Sequence, residues 1–266
     1  MTAEAPRPPH LVAVYLAAVQ FCFAVGWIVY VIHLPQLVAQ AGMPASWVPW
    51  ILMADQLVFI ATDLAVGLAS DRAARVMGRL GLWVLAASGL SALAFLLLPW
   101  VAPQGSPLLF IGVTGVWVVT SSALRAPPLT LLGRYVARPA QPMMVAVTAC
   151  GLGVANALAP YLGLQLKGGD PRLPFLVSAV ALVAVTLGMV AAERALARHA
   201  KAVRRADPNP LPAIQARPRL LDTLLFVGAC VIGAAAFQWH QFVSSAALWL
   251  QHAKADQLPW LMPVFW

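Results

Sequence analysis

Two aspartates stand in an otherwise apolar stretch of the chain and are the residues best suited to proton chemistry. Asp55 and Asp63 are eight residues apart, which is about 80° around an α-helix, so both can face one side of it. A carboxylate in an apolar interior is costly unless it is paired or protonated. We therefore expect Asp55 to take up and release a proton, with Asp63 nearby; a hydrogen-bonded structural acid is the alternative.

Other polar residues fall inside apolar stretches and are candidates for lining a path between helices. They are Tyr15, Gln20, Asn156, Gln238, His240 and Gln241. Two histidines, His33 and His240, lie towards the ends of predicted helices, where we expect an interfacial, water-exposed position.

The sequence contains no pattern that indicates an enzyme, a metal site or a bound cofactor. The three cysteines stand alone in apolar segments, which favours neither a disulfide framework nor metal binding. There is no HExxH, no GxSxG and no Walker-type Gly-rich loop with a lysine. We therefore expect no cofactor and rank a membrane-embedded enzyme last.

The composition predicts an all-α membrane protein with several transmembrane helices. Hydrophobic residues make up 61% of the 266 positions and charged residues only 10%, which is more apolar than soluble domains usually are. The apolar residues fall into blocks of about 20, the length that a helix needs to cross the hydrocarbon core. These blocks do not alternate as the strands of a membrane barrel do. The predicted spans are His10–Gln36, Ser46–Gly67, Leu80–Val101, Pro107–Leu124, Met143–Leu164, Leu173–Ala191 and Leu220–Val243, with an eighth beginning near Leu258.

The basic residues are placed as a topology signal and not as a nucleic-acid surface, although the net charge is +8. All but three of the 17 Lys and Arg lie in alternate connecting segments. The positive-inside rule then places the N-terminus and the Arg-rich segments in the cytoplasm. The loops near Gly42, Gln104, Gly168 and Ala255 are predicted to face outward. Trp47, Trp50, Trp100 and Trp260 fall near predicted helix ends and fit an interfacial aromatic belt.

A basic, proline-containing segment divides the chain into two units. An echo of Trp47–Leu52 at Gln257–Met262 indicates an internal repeat, although chance is the alternative because Trp is common at membrane interfaces. We therefore predict a cytoplasmic tail (1–9), a six-helix bundle (10–191), a basic cytoplasmic linker (192–219) and the start of a second bundle (220–266). On this division we expect the chain to be truncated, with a C-terminal half missing.

The segment after the second predicted span resembles the cytoplasmic loop signature of the major facilitator superfamily. It carries Gly67, Asp71, Arg72, Gly78 and Arg79, with Gly78 four residues later than the usual pattern has it. The resemblance implies that Asp71 and Arg72 hold the cytoplasmic ends of helices together in one transport state. A charged loop that serves topology alone is the alternative.

Two further resemblances to the same superfamily concern the fourth and fifth helices. Arg125 stands where the superfamily often places an arginine that pairs with the loop aspartate, here Asp71, and its planar fork suits a carboxylate. The fifth helix is loosely similar to the Gly- and Pro-rich helix of the superfamily's antiporters, although we favour close helix packing and a kink. Its residues of this kind are Gly151, Gly153, Pro160 and Gly163.

The leading hypothesis is a secondary active transporter that moves a small solute by alternating access, with proton coupling as an option. The alternatives are a truncated or split carrier that is inactive without a second half and a seven-helix membrane receptor. The expected partners are the lipid bilayer, a small-molecule substrate and protons, and not nucleic acid. We expect a multi-pass protein of the bacterial inner membrane; the sequence does not specify the substrate, the direction of transport or the coupling ion.

Overall fold

The computed structural model describes residues 9–77, 80–122, 124–206, 219–240 and 245–265, and every regular element within them is helical. This confirms the predicted all-α helical bundle. The helices are α1 (His10–Gln40), α2 (Trp47–Met77), α3 (Leu80–Val101), α4 (Pro107–Ser122), α5 (Ala126–Tyr135), α6 (Gln141–Leu166), α7 (Arg172–Thr186), α8 (Met189–Ala206), α9 (Leu220–Trp239), α10 (Ser245–Leu250) and α11 (Leu258–Leu261).

Five helical stretches in the described chain are long and apolar enough to cross a membrane. They are His10–Gln40, Val84–Gln104, Gln141–Leu166, Arg172–Val203 and Leu220–Phe237. The helix α4 is equally apolar but shorter, with Pro107–Ser121 as its apolar part. The α3 boundaries agree with the predicted span, because an unbroken apolar block and the flanking Gly and Pro residues define both of its ends.

The helix α2 continues past the point where the sequence analysis places a loop. It runs for 31 residues to Met77, so the backbone of Gly67, Asp71 and Arg72 is helical and the predicted loop is wrong. The reason is local: after Gly67 this stretch is rich in Ala and Arg, which favour helix, and contains no proline.

Two amphipathic helices, α5 and α8, replace connections that the sequence analysis leaves without structure. The first turn of α5 contains Pro127 and Pro128, whose missing N–H groups cost nothing there. The helix α8 follows α7 after a turn at Leu187 and Gly188. The N-terminal half of the predicted basic linker is therefore helical up to Ala206.

The central helix of the bundle is α1, which packs against α6 on one side and α7 on the other. The closest approach lies at Gly151 of α6, where a Cβ atom would stand 1.9 Å from the carbonyl oxygen of Ala17 in α1. The hydroxyl of Thr148 also reaches the carbonyl of Ala13, at 3.5 Å. Two other glycines of α6, Gly153 and Gly163, have no neighbouring atom within 4 Å of a Cβ position. Close packing of α1 and α6 therefore depends on Gly151.

The buried residues form two main clusters, one towards each end of the bundle. One cluster includes Tyr30, Leu37, Leu98, Phe110 and Phe175. It lies near the turns at Gly42, Gly105 and Gly168, which all have positive φ and so suit glycine. The other cluster joins α1 and α3 to α5, α6 and α8. We call this second end the basic end, because Arg125, Arg134 and the cations of α8 lie there.

The C-terminal elements lie on the outside of this bundle. In the apolar stretch Leu220–Phe237 no residue is buried. The segment after it packs on α6, where the ring of Trp260 meets the ring of Tyr161 edge to face at 4.9 Å between centroids. An apolar helix with no buried face needs either lipid or another helix around it.

The turn between α7 and α8 is held by a tyrosine from α1. The Tyr15 hydroxyl donates a hydrogen bond to the carbonyl of Val185, in the last turn of α7. The Tyr15 ring lies against Gly188, where an added Cβ would stand 2.9 Å from ring and hydroxyl atoms. Glycine at 188 thus makes room for the ring that fixes where α8 departs from α7.

We expect Gly188→Ala to destabilise the bundle by about 1–2 kcal/mol, because the methyl group displaces the Tyr15 ring and weakens its hydrogen bond. Thermal unfolding in detergent measures the loss. Tyr15→Phe should then cost less in the Gly188→Ala background than in the wild type. Gly228→Ala, at an open position, is the matched control. Additive losses from Gly188→Ala and Tyr15→Phe would contradict the proposed contact.

Candidate functional site

A buried aspartate and a buried tyrosine form the centre of the candidate site. The Tyr30 hydroxyl in α1 donates a hydrogen bond of 2.9 Å to Oδ2 of Asp55 in α2. The exposed fraction is 5% for Asp55 and 0% for Tyr30. The partner that the structure describes for this carboxyl is a neutral phenol and not a cation. Because the pair contains no cation, protonation of Asp55 would not leave a buried positive charge without its counter-ion.

Aromatic rings pack against the Tyr30 side of this buried pair. The Trp117 ring lies 4.4 Å from the Tyr30 ring, and Trp27 stacks on Trp117 at 6.0 Å between centroids. Phe59, one helical turn after Asp55, meets Trp27 edge to face at 5.0 Å. Such offset and edge-to-face pairs are favourable arrangements for aromatic rings. The cluster joins α1, α2 and α4 around a single acidic group.

The second predicted aspartate lies in a different electrostatic environment. Oδ2 of Asp63 is 3.8 Å from a guanidinium nitrogen of Arg125. The same guanidinium lies 5.0 Å from the centre of the Phe59 ring, within the range of a cation–π contact. Gln20 of α1 donates to the carbonyl of Arg125 at 3.3 Å. These contacts tie α1, α2 and the segment after α4 together at the basic end.

The described partner of Arg125 is therefore Asp63 and not the Asp71 that the resemblance suggests. The side chains of Asp71 and Arg72 lie outside the described residues, as do Gly78 and Arg79. An ion pair between Arg125 and Asp71 stays a prediction. So does the role of Gly67, Asp71, Arg72, Gly78 and Arg79 as a gate.

Of the remaining path candidates, the structure describes the side chains of Asn156 and His240. Asn156 is half-buried and donates to the carbonyl of Leu152 in its own helix at 3.0 Å. His240 is half-buried just beyond the end of α9. The side chain of Gln238 and all of Gln241 lie outside the described residues.

The prediction of a water-exposed His33 is wrong. The structure buries this side chain to 1% exposed, and its ring lies 6.0 Å from that of Phe175 in α7, at an interplanar angle of 60°. Neither ring nitrogen has a hydrogen-bond partner among the described residues. The sequence places His33 near the end of a span, but α1 continues four residues beyond the predicted end, to Gln40, so His33 lies deeper in the bundle.

A cavity beside the aromatic cluster is too small for a solute. It lies between α1, α3, α4 and α7 and is lined by Cys22, Gly26, Phe95, Trp117, Ser121 and Ser178. Its free space is about 20 Å³, enough for one water molecule. A solute of ordinary size therefore does not fit at this position.

The Tyr30 partner of Asp55 is the functional residue that sequence reasoning missed. Tyr30 is 25 residues from Asp55 along the chain, so no local spacing connects the two. The available signal was chemical: a tyrosine deep in an apolar span needs an acceptor for its hydroxyl. In the neighbouring helix α2, Asp55 is one of the two acids in the apolar part.

Comparison with known proteins supports the membrane-carrier architecture. A scan against protein families matches residues 16–265 to the Major Facilitator Superfamily. Searches of curated proteins and of solved structures found no match. The family match covers almost the whole chain, including α2, which carries Asp55 and Asp63, and Arg125 in the segment after α4. The chain therefore belongs to the major facilitator superfamily, whose members are membrane transporters.

Proposed function

We propose that this chain is a secondary carrier that moves a small solute by alternating access and couples the movement to a proton on Asp55. The single observation that carries the coupling is the buried pair of Asp55 and Tyr30. A membrane-embedded acid of this kind is expensive to keep charged, and intramembrane acids mark proton relays in carriers. With Asp55 neutral and hydrogen-bonded to Tyr30, α2 would move without carrying a charge through lipid.

The Asp63 and Arg125 pair has a different role in this proposal. Each side chain is more than a third exposed, so its geometry is open to competition from water and other charges. Such a pair can break and re-form as helices separate. We propose that it belongs to the gate at the basic end, together with Asp71 and Arg72.

The proposed arrangement of the chain places the basic end in the cytoplasm. The support is the concentration of Lys and Arg in alternate connections, which is the positive-inside signal. Residues 10–191 then form the first bundle, 192–219 the link and 220–266 the beginning of a second bundle.

With this orientation, a tag at the N-terminus should be protected from protease added outside intact spheroplasts. Cleavage of the tag would show instead that the N-terminus faces outward.

The transport proposal is tested in vesicles that contain the purified chain. The vesicles are loaded at alkaline pH and diluted into acidic buffer with a labelled sugar, an organic anion or an organic cation. We expect one of these solutes to accumulate above the level in empty vesicles and to leave when a protonophore removes the gradient. Equal uptake with and without the protein for every solute tested would contradict the proposal.

A further inference from the structure

The helix α8 has two chemically opposite faces. Its buried face contains Met189, Ala192, Glu193 and Leu196 and packs against α3 and α5. Among the side chains of α8 that the structure describes, the exposed Lys and Arg are Arg194, Arg198 and Lys201. At about 100° per residue, Arg198 and Lys201 lie within about 40° of Arg194, so the three form one stripe. We call these three residues the basic stripe.

No acid of α8 neutralises the basic stripe. The only acidic residue in the sequence of this helix is Glu193, which is 7% exposed and lies on the buried face. Its carboxylate accepts a hydrogen bond of 3.4 Å from the hydroxyl of Tyr135 in α5. Among the described residues, no ion pair involves a cation of the stripe. The stripe therefore presents its positive charge to whatever surrounds the bundle.

The length of α7 and α8 places the stripe beside the membrane surface. Arg172 begins α7 and lies over the exposed ring of Trp100, 4.3 Å from its centre, which suits the interface at the opposite end. A helix crosses the hydrocarbon core in about 20 residues. Counting from Arg172, the chain leaves the core near Ala192. Arg194 and Arg198 follow directly, where we expect the lipid headgroups.

We propose that the basic stripe of α8 binds the phosphate groups of anionic phospholipids and so fixes the position of α8 on the membrane. Arginine binds phosphate through two parallel hydrogen bonds, and lysine adds a point charge. Basic residues beside the exit of a helix from the membrane are attracted to anionic lipid. Because α8 holds α5 through Tyr135 and Glu193, lipid bound to the stripe stabilises the basic end of the bundle as a whole.

The test measures how anionic lipid changes the stability of the full chain. Protein stripped of lipid in neutral detergent is titrated with phosphatidylglycerol or phosphatidylcholine, and unfolding is followed by the fluorescence of its ten tryptophans. We expect phosphatidylglycerol to raise the melting temperature more than phosphatidylcholine does. In Arg198→Gln/Lys201→Gln this difference should fall to less than about half, and high salt should reduce it in the wild type.

The matched control is Lys167→Gln/Lys254→Gln, which removes the same charge from exposed positions outside α8. It should keep the full difference between the two lipids, as should Arg198→Lys/Lys201→Arg, which keeps the charge of the stripe. Only the lipid-dependent difference is compared, so a change in the stability of a variant does not obscure the result. An equal response to both lipids, or equal losses in the α8 and control variants, would overturn the proposal.

Discussion

Replacing Gly151 with alanine is expected to lower the stability of the bundle by about 3 kcal/mol, because the new methyl group has no space. Its carbon would stand 1.9 Å from the carbonyl oxygen of Ala17 and 2.7 Å from the carbonyl carbon. These are backbone atoms, so no change of rotamer relieves the overlap. The helices α1 and α6 must separate, which also loosens the contact of Ala155 with Ala24 and Ile28.

Thermal unfolding of the purified variant in detergent measures this effect, with an expected fall in melting temperature of roughly 10 °C. The matched control is Gly153→Ala in the same helix, where no atom lies within 4 Å of the new Cβ. Alanine favours helix over glycine by about 1 kcal/mol, so this control should be as stable as the wild type or more so. If both variants unfold at the same temperature, α1 and α6 do not cross at Gly151.

The sequence predicts the apolar spans well because the membrane imposes a length on them. The bounds of α3 agree with the predicted span, and α1 and α6 differ from it by a few residues. The limits of the prediction appear where the chain leaves the membrane. There α2 continues to Met77 and α8 continues to Ala206. Such helix ends do not need apolar residues on every face, because helix propensity and packing on neighbouring helices stabilise them.

The candidate site is predictable as a list of groups and not as a set of contacts. Asp55 is recognisable because an acid in an apolar span is rare and costly. Its partner Tyr30 and the pairing of Asp63 with Arg125 depend on the relative rotation of α1, α2 and α4. Rotation is fixed by side-chain packing across helices far apart in sequence. A single sequence carries no pattern that reports it.

His33 shows the same limit of the sequence in a prediction that is wrong. Its position in the sequence, near the end of a predicted span, favours the interface, but the structure places its ring beside Phe175 with 1% of the residue exposed. The hydropathy pattern ends this span four residues before the end of α1. It also does not say whether a residue faces lipid, water or another helix, and for His33 the facing helix is α7.

Replacing Asp55 with asparagine is expected to abolish proton-driven accumulation of the solute while leaving its exchange across the membrane within about three-fold of wild type. Asparagine keeps an oxygen that accepts the hydrogen bond from Tyr30 and nearly the same volume, so the contact of 2.9 Å can persist. Only the ionisable group is lost. The measurement compares uptake driven by a pH gradient with exchange of labelled for unlabelled solute at equal pH in the same vesicles.

An infrared titration tests the proton on Asp55 without any solute. As the pH falls, the wild type should show a carbonyl band of a protonated carboxylic acid that is missing from Asp55→Asn, while the bands of the chain's other acids remain in both. Asp222→Asn removes an exposed carboxyl in the first turn of α9 and should retain the Asp55 signal. Tyr30→Phe should shift the pH at which the signal appears, since the carboxylate then loses its described donor. If the wild-type band persists in Asp55→Asn, the proton belongs to another acid. If that variant retains proton-driven accumulation, Asp55 is not part of the coupling.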